Sequence, residues 1–161
     1  MPEGMVGYEE DLFLWSQQQA KALREAAARG VNLPIDWENV AEEIESLGKG
    51  DRRALGSRLQ VIVEHLLKLE HSTRPDPRRG WRETVRRERA VVEQILEESP
   101  SLRAQADALL RRSARKAQEF AARSLQAHDE PDAAESVERL GARYTIEQVI
   151  GDWWPAEQEP Y

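Results

Sequence analysis

The feature that most constrains the fold of this chain is a helical spacing of apolar side chains over its long segments. Apolar residues recur three or four positions apart, and no segment alternates apolar and polar residues as a half-buried strand does. The apolar stripes begin at Leu12, Trp37, Leu55, Trp81 and Leu102. Because each stripe lies on one helical face, the helices must pack against one another. The sequence therefore predicts an all-α fold, an antiparallel bundle of four long helices plus one or two short C-terminal helices.

The length of 161 residues predicts one domain with a substantial core, over residues 8–161, behind a flexible N-terminal tail at residues 1–7. Several residues mark the expected helix ends. Gly30 suits a C-cap, Asp36 suits an N-cap, and Ser99 before a proline is a start signal. Thr145 followed three residues later by Gln148 is the pattern of a capping box.

Gly48 and Gly50 predict a break in the segment that begins at Asp36, with Asp51 capping the next helix. The sequence leaves open whether the flanking helices form a hairpin or one kinked rod. If they form a hairpin, His65 faces residues near the start of the Asp36 helix.

The tryptophans have distinct predicted positions. Trp37 and Trp81 lie on apolar stripes, which places them in the main core. Trp153 and Trp154 lie at the end of the last short helix, where we expect them to hold the C-terminal segment on the bundle.

Charge is distributed in three blocks. Residues 1–51 carry 11 acids and 4 bases, residues 52–123 carry 10 and 17, and residues 124–161 carry 9 and 2. The balances of −7, +7 and −7 sum to the net charge of −7. This layout favours acidic ends that meet a basic middle, and it disfavours a surface built to bind a polyanion.

Composition also restricts the classes of protein. The chain has no cysteine, which excludes disulfides, thiolate metal sites and thiol catalysis. No apolar run approaches the ~20 residues of a membrane span, and the N-terminus lacks the pattern of a signal peptide. We therefore expect a cytoplasmic protein with no membrane contact and no cofactor.

Six separated segments resemble the bacterial family catalogued as domain of unknown function 29. They are Tyr8-Glu9-Glu10-Asp11 with Trp15 and Gln19-Ala20, Asp36-Trp37-Glu38-Asn39-Val40-Ala41-Glu42-Glu43-Ile44-Glu45-Ser46-Leu47-Gly48, His65-Leu66-Leu67-Lys68, Trp81 with Thr84-Val85 and Arg89, Ser99-Pro100-Ser101-Leu102, and Tyr144-Thr145-Ile146-Glu147-Gln148. The resemblance covers residues 8 to about 155 and implies an all-helical fold and a bacterial source. It implies no activity. Glu88 departs from the glutamine expected there, Leu69 from the common aromatic, and the acidic stretch 129–138 resembles an insertion.

Glu88 and His65 are the candidate groups for chemistry. Glu88 lies in the middle of an apolar stripe, where a carboxylate is costly to desolvate unless it is paired or protonated. It is interpreted either as a general acid or base or a metal ligand, or as a buried acid bonded to an arginine or a Trp N–H. The same choice applies to His65 at the edge of its helix's apolar face. No histidine follows a glutamate by three residues, so no dedicated metal site is predicted.

Seven arginines lie between residues 74 and 89, against three acids. They are compatible with nucleic-acid binding through this segment, with charge matching inside the protein, or with an acidic protein partner. A pI near 5.1 and the acidic flanks disfavour nucleic acid.

The preferred prediction is a protein that acts by binding, through protein–protein interaction, rather than an enzyme. The candidate binding residues are His65, Arg82, Arg86, Glu88 and Arg89. A small hydrolase-like enzyme with a polar inter-helix pocket around Glu88 and His65 is one alternative, and nucleic-acid binding is the other. The sequence leaves the identity of a partner or substrate and the oligomeric state open.

Overall fold

The structure, a computed structural model, describes residues 4–157, and within that range it contains helices and no strand. The helices are α1 (Leu12–Ala28), α2 (Trp37–His71), α3 (Arg78–Glu98), α4 (Arg103–Ala127), α5 (Pro131–Leu140) and α6 (Ile146–Ile150), with a single 3-10 turn at Pro100–Leu102. Four helices are long and two are short. The prediction of an all-α fold is therefore confirmed.

Helix α2 corrects one prediction. It runs through Gly48 and Gly50 without interruption over 35 residues, so the expected break, the cap at Asp51 and the hairpin argument for His65 are wrong. A glycine inside a helix costs about 1 kcal/mol against alanine, which packing can offset. Gly48 is buried at a position where a Cβ atom would lie 2.1 Å from the Oγ of Ser16. The glycine therefore permits close packing of α1 on α2 instead of ending the helix.

The other predicted helix ends fall where the caps indicate. Gly30 follows α1 with a positive φ of 72°, and Asp36 accepts a hydrogen bond from the Asn39 amide at the start of α2. Thr145 and Gln148 form the expected capping box. Ser99 is the residue before the 3-10 turn and Pro100 is its first residue, as predicted, although the Ser99 side chain makes no cap bond.

The described residues fall into two compact units. The first comprises residues 4–54 and 94–104 and is held by buried polar groups as well as by apolar packing. The hydroxyl of Ser99 accepts from the Phe13 amide and donates to Asp51, which is why it does not cap the 3-10 turn. Asp11 caps α1 through the Leu14 amide and also binds the amide and hydroxyl of Ser101.

The second unit comprises residues 55–93 and 105–157 and contains a large apolar core. Its fully buried large side chains are Leu55, Leu59, Ile62, Val63, Leu66, Leu67, Leu69, Val85, Val92, Leu125 and Val137. Those on α2 cover an arc wider than a single stripe, as expected of a helix with neighbours on several sides. Trp37 and Trp81 are only partly buried, so their predicted place in the core is wrong. The Lys68 ammonium lies over the partly exposed Trp81 ring, 5.3 Å from its centroid, and makes a cation–π contact with it.

Two further predictions concern the chain as a whole. Of the predicted flexible tail, residues 1–3 lie outside the described range, while Val6 and Gly4 hydrogen-bond the side chain of Gln18. The single domain over 8–161 stays a prediction. Across residues 4–157, no helix has both the length and the apolar character needed to cross a membrane.

Candidate functional site

The candidate site lies on α3 in the second unit, where four arginines share one side of the helix. Arg78, Arg82 and Arg86 follow one another at intervals of four residues, the repeat that brings side chains onto one face, and Arg79 is adjacent to Arg78 and three residues before Arg82. We call these four residues the arginine face. Together with Glu157 they line a cleft of about 340 Å³.

Glu157 is already bound in this cleft. Its Oε2 atom lies 2.6 Å from the Nη1 atom of Arg78, and its Oε1 atom accepts from the Nη2 atom of Arg82. Each carboxylate oxygen therefore has its own guanidinium, which is a strong, directional arrangement for a planar acid. The prediction that the acidic C-terminal block meets the basic middle is seen at this point.

The indole ring of Trp154 lies against two residues of the arginine face and against Arg89, one turn further along α3. The guanidinium carbons of Arg82, Arg86 and Arg89 are 5.6, 5.4 and 4.8 Å from the ring centroid. Within about 6 Å, the negative face of an aromatic ring attracts a cation. The ring lowers the repulsion among three like charges and fixes their positions.

Arg89 differs from the arginine face because it points at backbone. Its Nε atom donates to the Val149 carbonyl at 2.9 Å, and its Nη2 atom donates to Gln148 at 2.9 Å and to Trp153 at 2.7 Å. Burial lowers the pKa of Arg89, and the nearby charge of Asp152 raises it. Arg89 thus holds α6 and the residues after it against α3, a positioning role that its sequence position did not reveal.

Glu88 is 5% exposed and paired. Its Oε2 atom accepts from Arg58 on α2 at 3.0 Å, and its Oε1 atom lies 3.6 Å from the Nε atom of Arg87. This matches the interpretation of a buried acid bonded to an arginine.

His65 is half-buried on α2, with its Nδ1 atom 2.8 Å from the Val61 carbonyl. Burial lowers the pKa of His65 and the Lys68 cation lowers it further, while the Val61 carbonyl and the charges of Glu64 and Glu88 raise it. The net lowering favours the neutral imidazole, with Nδ1 as the protonated nitrogen. Glu88 is thus near enough to act on His65 through its charge, and the hydrolase-like role of the pair stays a prediction.

Replacing Glu88 with glutamine should lower the free energy of unfolding by less than about 1 kcal/mol, because the amide oxygen still accepts from Arg58. Replacing Arg58 with alanine should cost about 1–2 kcal/mol, because a buried carboxylate then loses its close partner. Urea denaturation followed by circular dichroism measures both. A larger loss for Glu88→Gln than for Arg58→Ala would contradict the pairing argument.

A second polar cluster was not predicted from the sequence. The Nδ1 atom of His71 lies 3.1 Å from the hydroxyl of Ser136 on α5, and its Nε2 atom lies 3.8 Å from Glu70, which also accepts from the Tyr144 hydroxyl. Burial lowers the pKa of His71 against the opposing effect of Glu70. The pKa of Tyr144 is well above its usual range, through burial and the Glu70 carboxylate. Because His71 and Ser136 are 65 residues apart, no local spacing could have indicated the contact.

This cluster borders a cleft of about 520 Å³ lined by His71, Thr73, Arg74, Asp129, Glu130, Asp132 and Ser136, among others. Glu130 is buried there and accepts from the Ser72 hydroxyl at 2.8 Å and from the Thr73 amide at 3.0 Å. These bonds tie the loop after α2 to the start of α5. Within the described residues, no group of three or more acidic or histidine side chains is arranged to hold a metal ion.

Comparison with known proteins gives matches at the level of family and fold. The model of a family described as domain of unknown function DUF29 matches residues 7–154. An α-helical protein of unknown function from Rhodospirillum rubrum, solved by crystallography, is similar at 25% identity and a TM-score of 0.65, and the match covers 84% of this chain and 98% of that one. No curated protein matches the chain. The crystal structure is of a helical protein, as this one is, and neither description states a ligand or a reaction.

Proposed function

The chain belongs to the family of the domain of unknown function DUF29, a description that assigns no activity, and we propose from its own residues that it acts by binding another protein through the arginine face. The observation that carries the proposal is the cleft on α3. Arg78 and Arg82 converge on one carboxylate there, so the site has the geometry that an acidic side chain requires.

Exposure supports the same function. The side chain of Arg79 is 90% exposed and that of Arg82 is 40% exposed, and Arg86 is exposed as well. Cations in such positions steer an acidic partner and set the register of its docking. A short acidic segment of a protein fits the length of this face, which covers little more than two helical turns.

Nucleic acid is a poorer fit to the same residues. A long polyanion that extends beyond the arginine face meets the rest of a chain whose net charge is −7, and this opposes its binding. Binding to single strands also uses aromatic rings that are open to base stacking. The Trp154 ring is instead covered by the guanidinium groups of Arg82, Arg86 and Arg89.

The test is fluorescence anisotropy with two labelled probes, a short oligoglutamate peptide and a single-stranded oligonucleotide. Each is titrated with the native chain, with the Glu157→Gln variant and with the double variant Arg82→Glu/Arg86→Glu. The peptide should bind the first two proteins, and the double charge reversal should weaken binding by more than about tenfold.

A matched control reverses Arg112 and Arg123, which are exposed on α4 and change the net charge by the same amount. It should bind the peptide as the native chain does. Absence of peptide binding by both the native chain and Glu157→Gln would overturn the proposal. Tighter binding of the oligonucleotide, lost on reversal of the same arginines, would assign the face to nucleic acid instead.

A further inference from the structure

We infer that the 152–157 segment is an internal copy of the ligand, so that the arginine face recognises peptides with an aromatic residue three positions before an acidic one. The inference rests on the proposed function and adds the chemistry of the partner. It also gives the segment a role, since a partner peptide must displace it from the cleft.

The segment docks at two points. Trp154 lies against the guanidinium groups of Arg82, Arg86 and Arg89, and Glu157 lies between Arg78 and Arg82. Arg82 takes part in both contacts, so the aromatic and the acidic positions are read by one continuous row of side chains.

The residues between these points make the spacing specific. Pro155 is buried, and its ring fixes φ near −65°, so the chain loses little conformational entropy between the two contacts. Ala156 is exposed and makes no demand on the cleft. An aromatic side chain and a carboxylate at this separation are therefore the features that a competing peptide must reproduce.

Arg89, which contacts the Trp154 ring, also holds the chain through backbone carbonyls that precede the docking points. Arg89 bonds the carbonyls of Gln148, Val149 and Trp153, all of which precede Trp154. Release of Trp154 and Glu157 thus leaves α6 in place. An internal ligand held this way lowers the apparent affinity of an external one, which is the intrinsic affinity multiplied by the fraction of time that the site is free.

The experiment uses a labelled peptide with the sequence of residues 152–157, Asp-Trp-Trp-Pro-Ala-Glu, blocked at both ends so that only side chains carry charge. Anisotropy titrations compare the native chain, Glu157→Gln and Trp154→Ala/Glu157→Gln. Circular dichroism checks that each variant is folded, and the single variant keeps the test decisive if the double variant is not. We expect affinity to rise along this series by at least about tenfold in total, because the internal competitor is progressively removed.

Peptide variants test the ligand class. In the peptide, alanine in place of Trp154 or glutamine in place of Glu157 should each weaken binding to the Glu157→Gln protein. A change at Ala156 of the peptide should leave this binding unaltered. Equal affinity for all three proteins, or indifference to the aromatic and acidic positions, would overturn the inference while oligoglutamate binding upholds the proposed function. If neither the peptide nor oligoglutamate binds any of the proteins, both proposals fail together.

Discussion

Replacing Gly48 with alanine should lower the free energy of unfolding by about 2–3 kcal/mol, the cost of inserting a methyl group into a packed contact. The added Cβ atom would lie 2.1 Å from the Oγ of Ser16, 3.1 Å from Cδ2 of Phe13 and 3.2 Å from the Cα of Phe13. A serine hydroxyl can rotate, but the backbone of Phe13 cannot move without shifting α1. The loss should appear as a lower urea midpoint in circular dichroism.

Gly50 provides the matched control, because it lies two residues further along the same helix and a Cβ atom there would meet nothing within 4 Å. Gly50→Ala should stabilise the protein by about 0.5–1 kcal/mol through helix propensity and reduced freedom of the unfolded chain. A Ser16→Ala change should recover part of the loss in Gly48→Ala, since it removes the nearest atom and leaves the backbone contact. Equal effects of Gly48→Ala and Gly50→Ala would show that α1 does not pack where the structure places it.

These two glycines also show where sequence reasoning reaches its limit. Their effect on helix propensity is local and predicts a break, whereas the packing of Gly48 against Ser16 and Phe13 is a tertiary contact that the sequence does not show. Sequence patterns predicted the structure correctly where the interacting residues are close together in the chain. The capping box of Thr145 and Gln148 closes within three residues, and the structure confirms it.

In the candidate site, too, the sequence predicts features within one helix and does not reveal contacts between distant residues. The row of arginines is visible in the sequence because their spacing lies within one helix. Glu88 on an apolar stripe was correctly interpreted as a possible buried pair, although its partner Arg58 is 30 residues away and could not be named. Ser99 lies at the predicted start of the 3-10 turn, but its hydroxyl bonds Phe13 and Asp51, which are distant in the sequence and could not be named. Trp37 and Trp81 lie on apolar stripes, and for that reason alone the sequence places them in the core. A partly exposed indole ring can instead bind a neighbouring cation, as Trp81 does with Lys68.

Arg89→Ala should cost about 3 kcal/mol of stability in the second unit, the largest loss that we expect from a single truncation on α3. The guanidinium donates three hydrogen bonds to the carbonyls of Gln148, Val149 and Trp153. Those carbonyls lie at the end of α6 and beyond it, where backbone acceptors have no helical donor. Lysine at this position keeps the positive charge but lacks the planar guanidinium group that donates to several carbonyls. Arg89→Lys should therefore recover less than half of the loss of stability.

The control for this prediction is Arg86→Ala, which removes a guanidinium from the same Trp154 ring without touching a carbonyl. It should cost less than about 1 kcal/mol, the value of an exposed cation–π contact. Chemical denaturation read by tryptophan fluorescence reports on both variants, because Trp153 and Trp154 lie on the segment that Arg89 holds. Hydrogen exchange should show faster exchange in α6 for Arg89→Ala alone, since local opening of a segment follows the contacts that dock it. A similar loss of stability in the two variants, with α6 protected from exchange in both, would contradict this prediction. It would mean that apolar packing of the fully buried Val149 holds α6 in place, and that the hydrogen bonds of Arg89 do not.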